Sequence, residues 1–154
     1  GWDAACTRVA TWAKLKEKST GKEFLMVNTH FDHVGTEARR NSALLIIDKI
    51  KEIAGTHPSM MTGDFNVSEE WEAYKTITSN EFILKDAWKI AAKQTGESYT
   101  FHDFGRVPVA EREKIDFIFV TPQIKVADAE IISSAITDST YLSDHNAHLA
   151  DLEF

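Results

Sequence analysis

Four short apolar segments of this chain end or begin in carboxylate, carboxamide or imidazole side chains. The four sites are Asn28-Thr29-His30, Thr62-Gly63-Asp64-Phe65-Asn66, Asp116 at the start of an apolar run, and Ser143-Asp144-His145-Asn146. Apolar runs of four to eight residues are typical of buried strands. The polar groups are therefore expected to emerge together at strand ends, along one rim of a sheet.

The composition is that of one globular domain. The chain has 154 residues, of which 43% are hydrophobic, and no repeat or Pro/Ser-rich linker divides it. No segment approaches the ~20 apolar residues of a membrane span, and nothing in the sequence indicates a compartment. The lone Cys6 excludes an internal disulfide. A net charge of −7 argues against a long basic groove for nucleic acid.

The hydrophobic periodicity predicts a mixed α/β order of elements with helices covering sheets. Thr36 and Ser68 are the predicted N-caps of two amphipathic helices, the first ending at Gly55. The predicted strands are residues 7–16, Glu23–His30, Ser59–Thr62, 115–121, about 126–136 and about 147–153, with a third, short helix within 84–94. Both faces of the strand Glu23–His30 are apolar, which predicts burial on both sides.

Several side chains outside the four polar segments are expected to be structural. Trp12, Trp71 and Trp88 are predicted to lie in the core. Arg39 and Arg40 are predicted to form a solvated face of the first helix.

The polar residues at the strand ends have ordinary explanations when each is taken alone. Asp64 and Asn66 suit a turn, Asp144-His145 suits a polar strand cap, and His30 suits a hydrogen-bonded core histidine. Asp116 suits an ion pair with a nearby Arg or Lys. Their joint occurrence at strand ends favours a single site instead. Because the set offers oxygen and imidazole ligands without thiolates, Mg²⁺ or Mn²⁺ is favoured and zinc less so.

The chemistry of these groups suits the cleavage of a phosphate ester, which needs an activated water and neutralisation of charge on phosphate oxygens. Asp64 can hold or deprotonate the water, and Asn66 can orient it or bind phosphate. Asp144 can ligate a metal ion. Asp116 can fix the tautomer of His145 and raise its basicity. His30 can donate a proton to a phosphate oxygen or to the leaving group.

The loop 95–113 contains the remaining candidate binding residues. Its aromatic and imidazole side chains could stack on a base or cover a sugar, and two arginines could hold a second phosphate. The alternative is that the aromatic residues anchor a long loop onto the core. The residues are Tyr99, Phe101, His102, Phe104, Arg106 and Arg112.

The four polar segments, in this order and spacing, make the chain resemble the endonuclease/exonuclease/phosphatase superfamily of metal-dependent hydrolases, and Tyr99-Thr100-Phe101-His102 resembles its bacterial members. The resemblance implies a DNase I-like four-layer sandwich, with two facing sheets and helices outside. It also implies which residues catalyse the reaction, which bind the metal ion and which bind the substrate. The implied catalytic residues are His30, Asp64, Asn66, Asp116 and His145. The implied metal ligands are Asp64, Asn66, Asp144 and His145. The implied substrate-binding residues are Asn28 and His102.

One departure from the family pattern affects the expected activity. The resemblance places residues 1–154 in the C-terminal portion of the domain, without the N-terminal strands that carry an Asn and a metal-binding Glu in the family. The cation would then lack one carboxylate, and apolar faces would be uncovered. We therefore expect the chain alone to be poorly active, or to associate as a homodimer or with a missing N-terminal segment.

The leading hypothesis is a metal-dependent phosphodiesterase that acts on a nucleic acid, a nucleotide or a phospholipid headgroup. A phosphomonoesterase acting on a sugar or inositol phosphate is the alternative within the enzyme class. Outside that class, the alternative is a non-catalytic half-domain that associates through its apolar face.

Overall fold

The computed structural model of the protein describes residues 1–79 and 84–154. They form strands, three α-helices and one 3₁₀ turn. In chain order these are β1 (Ala10–Lys16), β2 (Glu23–His30), α1 (Thr36–Ala54), β3 (Ser59–Asp64), α2 (Glu72–Ser79), β4 (Lys85–Asp86), α3 (Ala87–Ile90), β5 (Lys93–Gly96), the 3₁₀ turn (Val109–Glu111), β6 (Asp116–Val120), β7 (Lys125–Ile132), β8 (Ala135–Thr137), β9 (Thr140–Tyr141) and β10 (Ala147–Glu153).

The larger sheet has five strands in the order β1-β2-β3-β6-β4. Strands β2 and β3 are parallel and joined by the crossover helix α1, whereas the other neighbours are antiparallel. The register pairs His30 with Asp64 and Asp64 with Asp116, so these three residues form one row across β2, β3 and β6.

A second sheet of three strands, in the order β10-β7-β5, faces the larger one. Met60 and Val120 of the larger sheet pack in one apolar cluster with Val126, Ala150 and Leu152 of the smaller sheet. The opposite face of the larger sheet packs on α1 and α2 in a separate cluster. Two facing sheets with helices outside confirm the predicted α/β class. No helix within residues 1–79 and 84–154 has the length and apolar character needed to cross a membrane.

Phe65 anchors the turn between Asp64 and Asn66 in the core. Its side chain is fully buried, and its ring makes edge-on contacts with Phe31, Phe117 and Phe119 at centroid distances of 4.9, 5.9 and 5.0 Å. Such aromatic contacts contribute ~0.5–1.5 kcal/mol each beyond the area they bury. The turn that carries two candidate site residues is therefore fixed from beneath.

The start of α1 is capped from a distant part of the chain. Thr36 is the first residue of the helix, and the N-cap position is occupied by Gly35, which has no side chain to cap it. The carboxylate of Asp3 accepts the backbone N–H groups of Glu37 and Ala38 instead, at 3.2 and 2.7 Å. At the other end Gly55 adopts φ = 59°, and its N–H donates to the carbonyl of Lys51, as predicted for a helix ending there.

Other boundaries also differ from the sequence prediction, and the first strand begins at Ala10 rather than at residue 7. Helix α2 begins at Glu72, and Ser68 lies in a preceding turn in which its carbonyl accepts the N–H of Trp71. The helix expected in 84–94 is reduced to Ala87–Ile90, between two short strands. The strand expected over 126–136 divides into β7 and β8, because Ser134 turns inward to hydrogen-bond with the 143–146 segment.

Some side chains occupy the opposite environment from the one predicted. Trp12 and Trp71 are 53% and 44% exposed rather than in the core. Arg39 is buried, because its guanidinium lies over the ring of Trp71 and donates to the carbonyl of Asp32. Only one face of β2 is fully buried, and on the other face Asn28 and His30 are exposed. The open face of β2 is where the candidate site lies.

Gly63 allows β2 and β3 to approach closely beneath the row of site residues. A Cβ atom at this position would lie 1.9 Å from the carbonyl oxygen of Thr29. We expect Gly63→Ala to lower the free energy of unfolding by about 3 kcal/mol or more, because two backbones would have to separate. Chemical denaturation measures this change.

Gly55→Ala is the matched control for that substitution. Gly55 also has a positive φ, but an added Cβ would meet nothing within 4 Å. It should cost only about 1 kcal/mol, the strain of the backbone conformation. Equal losses in the two variants would contradict the role assigned to the close approach at Gly63.

Candidate active site

The candidate site lies on the open face of the row formed by His30, Asp64 and Asp116. Paired residues on neighbouring strands project to the same side of a sheet, and all three line one cavity of about 520 Å³. Asn146 and His148 contribute to the wall of this cavity from the smaller sheet and the segment that precedes it. The cavity therefore opens between the two sheets, at the end where the strands of the larger sheet terminate.

Asp64 is the central carboxylate. Its Oδ2 lies 3.3 Å from Nε2 of His30 and 3.9 Å from Nε2 of His145, and its Oδ1 accepts the backbone N–H of Asn66 at 2.8 Å. Burial raises the pKa of Asp64, and the nearby charge of Asp116 adds to that rise, while the Asn66 N–H and the two imidazoles oppose it. A carboxylate in this setting accepts a proton more readily than an exposed one.

Asp116 and His145 form a carboxylate–imidazole pair. Nδ1 of His145 lies 2.7 Å from Oδ2 of Asp116, and this hydrogen bond is the main reason that the pKa of His145 is raised. With Nδ1 oriented toward Asp116, Nε2 is turned toward Asp64. The ring of Phe101 packs against the imidazole at a centroid distance of 5.0 Å and restricts its rotation.

Asn66 is positioned by its backbone as well as by its side chain. It adopts φ = 49°, a conformation that Asn tolerates better than most residues. Its side-chain amide donates to the carbonyl of Phe31 at 3.0 Å, and the N–H of Phe31 donates to the carbonyl of Asp64. The ends of β2 and β3 are thereby tied together beside the site.

The donor set fits a divalent cation that prefers oxygen and imidazole ligands. One ligand atom from each of Asp64, Asp116 and His145 lies within 4.8 Å of the others. Two carboxylates and an imidazole without a thiolate suit Mg²⁺ or Mn²⁺. Asp144 is not part of this cluster in the described residues. Its backbone carbonyl accepts the N–H of His102, and its carboxylate lies 3.4 Å from the hydroxyl of Ser143.

The two predicted substrate-binding residues differ in accessibility. Asn28 lines the cavity and donates to the hydroxyl of Thr62 at 2.9 Å. His102 is 1% exposed, with Nε2 beside the hydroxyl of Ser134 and Nδ1 accepting the N–H of Gly105. Both ring nitrogens of His102 are therefore engaged within the protein, and burial lowers its pKa.

The other candidate binding residues, all in the loop 95–113, are of two kinds: some anchor the loop to the protein and others are exposed. Arg112 donates to the hydroxyl of Tyr99 at 2.7 Å, and Phe101 packs on His145, so these side chains hold the loop in place. Phe104 is 47% exposed with Arg106 over its ring. The anchoring explanation therefore accounts for most of the aromatic residues, but not for Phe104.

Two residues that support the site were given no role from the sequence. The hydroxyl of Thr100 accepts the N–H groups of both Ile115 and Asp116 at 3.0 Å. Asp32 is buried and accepts the N–H groups of Cys6, Val34 and Gly35, which holds the loop after His30. Glycine three residues after Asp32 is a local signal for such a turn, whereas nothing local identifies Thr100.

Comparisons with known proteins agree with this fold. No protein-family model matches the chain. An endonuclease/exonuclease/phosphatase from Bacteroides vulgatus is 64% identical and superposes with a TM-score of 0.94, over 99% of this chain and 58% of that one. A mannosyl-6-phosphatase from Bacteroides thetaiotaomicron is 33% identical with a TM-score of 0.89, over 100% of this chain and 60% of that one.

Nocturnin is a more distant relative. The Drosophila melanogaster protein is 26% identical over 99% of this chain and 29% of its own length. The human Nocturnin catalytic domain, solved with a bound sulfate anion, is 25% identical with a TM-score of 0.75 over 96% of this chain and 53% of that one.

The chain thus belongs to the endonuclease/exonuclease/phosphatase superfamily of DNase I-like fold. It spans 58% and 60% of the two bacterial relatives, and so corresponds to part of their domain.

The raised pKa of His145 can be tested in metal-free protein. We expect the imidazole to titrate above the ordinary value of about 6.5 and to shift to lower pH in Asp116→Asn, because the stabilising carboxylate charge is removed. Nuclear magnetic resonance of the histidine ring protons in EDTA measures both values.

The same pair makes stability depend on pH. A pKa raised in the folded state contributes stability that is fully present below about pH 6.5 and is lost as the pH rises through the folded value. Asp116→Asn should therefore destabilise the protein more at pH 6 than at pH 9. A larger loss at pH 9 would contradict the assigned pairing.

Proposed function

We propose that this chain supplies the larger part of the catalytic site of a divalent-metal-dependent phosphoester hydrolase. The observation that carries the proposal is the row of His30, Asp64 and Asp116, which lines one cavity, with His145 bonded to Asp116. Two carboxylates and two imidazoles so placed can activate water on one side of a phosphate and protonate a leaving group on the other.

Each residue of the site has its own catalytic role in this proposal. Asp64, whose pKa is raised by burial, takes the proton of the attacking water. Asn66 orients that water or a phosphate oxygen. Asp116 holds His145 with Nε2 toward the site, where this one nitrogen either ligates the metal ion or binds a phosphate oxygen and relays the proton. His30, 52% exposed at the mouth of the cavity, donates to the leaving group.

The proposed cofactor is Mg²⁺ or Mn²⁺, held by Asp64, Asp116 and His145, with Asn66 as a further oxygen donor and Asp144 as a predicted ligand. When bound, such an ion lowers the pKa of water and neutralises charge on phosphate oxygens. The clustering of three ligand atoms within 4.8 Å supports this assignment.

Two substrate classes follow from the family. The first is a phosphodiester, the substrate class of the nucleases in the superfamily's name. The second is a sugar phosphomonoester, favoured by the 33% identity to a mannosyl-6-phosphatase that matches this chain along its whole length. The two substrate classes differ in whether the site has room for a second group esterified to the phosphate.

One face of the chain, formed by β1 and α1, is left uncovered by the residues that the structure describes. Strand β1 is exposed along its whole length, and an apolar groove of about 190 Å³ lies between it and α1, lined in part by Trp12, Leu45 and Ile53. We propose that the remaining part of the domain, present in the longer relatives, covers this face. Sedimentation at several concentrations tests the alternative, since a stable dimer would assign the groove to a second copy.

The activity test uses the 154-residue chain alone and mixed with the part of the Bacteroides vulgatus protein that lies outside the matched region. Each form is given bis(p-nitrophenyl) phosphate, p-nitrophenyl phosphate or mannose 6-phosphate, with Mn²⁺ or with EDTA. We expect turnover that depends on the metal ion, and the preferred substrate identifies the class. If neither the chain alone nor the mixture turns over any of the three substrates, the proposed function is refuted.

Asp64→Ala tests whether any observed turnover belongs to this site. We expect kcat/KM to fall by about 100-fold or more, because the proton acceptor is removed. Asp48→Asn, which removes an exposed carboxylate from the outer face of α1, is the control and should leave kcat/KM unchanged. Equal activity of Asp64→Ala and the parent would show that a contaminant is responsible.

A further inference from the structure

An ion cluster around a buried lysine lies next to the segments that carry the candidate site, and the proposed chemistry does not use it. Lys114 is 8% exposed, and its Nζ lies 3.0 Å from Oδ2 of Asp86 and 3.2 Å from Oε1 of Glu69. The ammonium group also lies over the rings of Phe117 and Trp88 at 4.8 and 5.7 Å. A lysine in such surroundings is costly to bury unless its partners are well placed.

Each member of the cluster belongs to a different segment. Lys114 lies two residues before Asp116, and Glu69 lies three residues after Asn66. Asp86 is the N-cap of α3, accepts the N–H of Trp88 at 2.9 Å and also accepts the hydroxyl of Tyr74 at 3.1 Å. The cluster therefore joins the two segments that carry Asp64, Asn66 and Asp116 to a fixed point in the core.

The same two segments are also joined at the front, where the N–H of Phe65 donates to the carbonyl of Ile115 at 2.9 Å. This single backbone hydrogen bond follows the end of the β3–β6 pairing, and beyond it the chain after Asn66 leaves the sheet as a turn. The Glu69–Lys114 contact is thus a second link between the same segments, made three residues beyond Asn66.

Stability alone does not require ions at this position. Well-packed apolar side chains of similar volume are often as stabilising as a buried ion pair. An ammonium group with two carboxylate partners differs from apolar packing because its contacts have defined distances and directions. Such a link holds two segments in one relative position, and catalytic groups displaced by about 1 Å can lose 10²-fold in rate.

We propose that Lys114 is a positioning residue, which with Glu69 and Asp86 holds the turn bearing Asp64 and Asn66 in register with Asp116. The catalytic consequence rests on the proposed function, whereas the structural link does not. Among the described residues no hydrogen bond or ion pair joins Lys114 to the catalytic carboxylates or imidazoles, although its charge acts on His148 in the cavity wall. Its effect on turnover is therefore indirect.

The experiment uses pairs of substitutions that remove opposite charges. Lys114→Met removes a positive charge near the site, and Glu69→Gln removes a negative one. If the cluster acts through long-range charge, the two variants change kcat in opposite directions. If it acts through position, both lower kcat by about 10- to 100-fold with little change in KM, and the double variant loses no more than the worse single one.

Two further variants separate positioning from general destabilisation. Lys114→Arg keeps the charge and the donors, and should recover much of the lost kcat. Tyr74→Phe removes one hydrogen bond to Asp86 but keeps the ring that packs on Phe117 and leaves Lys114 with both carboxylates. It should therefore lower stability but leave kcat unchanged well below its melting temperature. Loss of kcat in Tyr74→Phe equal to that in Lys114→Met would overturn the proposal.

Hydrogen exchange of backbone amides tests the link without any activity. In Lys114→Met and in Glu69→Gln, the N–H groups of Phe65, Asn66 and Asp116 should exchange faster than in the parent chain, while Tyr74→Phe should not affect them selectively. Unchanged exchange in both variants would refute the positioning role. If these variants exchange faster but the parent chain hydrolyses no phosphate ester, the structural link is supported and only the proposed function is rejected.

Discussion

The register between β2, β3 and β6 is the constraint on which the rest of the site depends. It places His30, Asp64 and Asp116 side by side, although they come from separate parts of the chain. A slip of one residue in any of these strands would turn its site residue into the helix-covered core. The apolar packing of Leu25, Met61 and Phe117 beneath the sheet opposes such a slip.

The electrostatics of the site follow from this placement. Carboxylates that neighbour each other on a half-buried surface repel, which helps to raise the pKa of Asp64. The hydrogen bond from His145 relieves part of this repulsion at Asp116 and raises the pKa of the imidazole in turn. A bound divalent cation would relieve the remainder, which is why the same geometry suits both metal binding and proton transfer.

Support for the site comes from segments distant in the sequence. Thr100 holds the amides at the start of β6, and Asp32 holds the loop after β2. The ion cluster around Lys114 joins the 64–69 turn to the segment before Asp116. The site residues are therefore held from several directions, as expected where small displacements affect rate.

The sequence by itself determined the α/β class, most strands, the family and the polar segments, because apolar runs and short motifs are local patterns. Tertiary structure alone decided that Arg39 is buried while Trp12 and Trp71 are exposed, since burial depends on which elements cover a face. It also decided that His102 is engaged inside the protein and that Asp3 caps α1. These contacts join residues far apart in the chain, and no local pattern encodes which partners will meet.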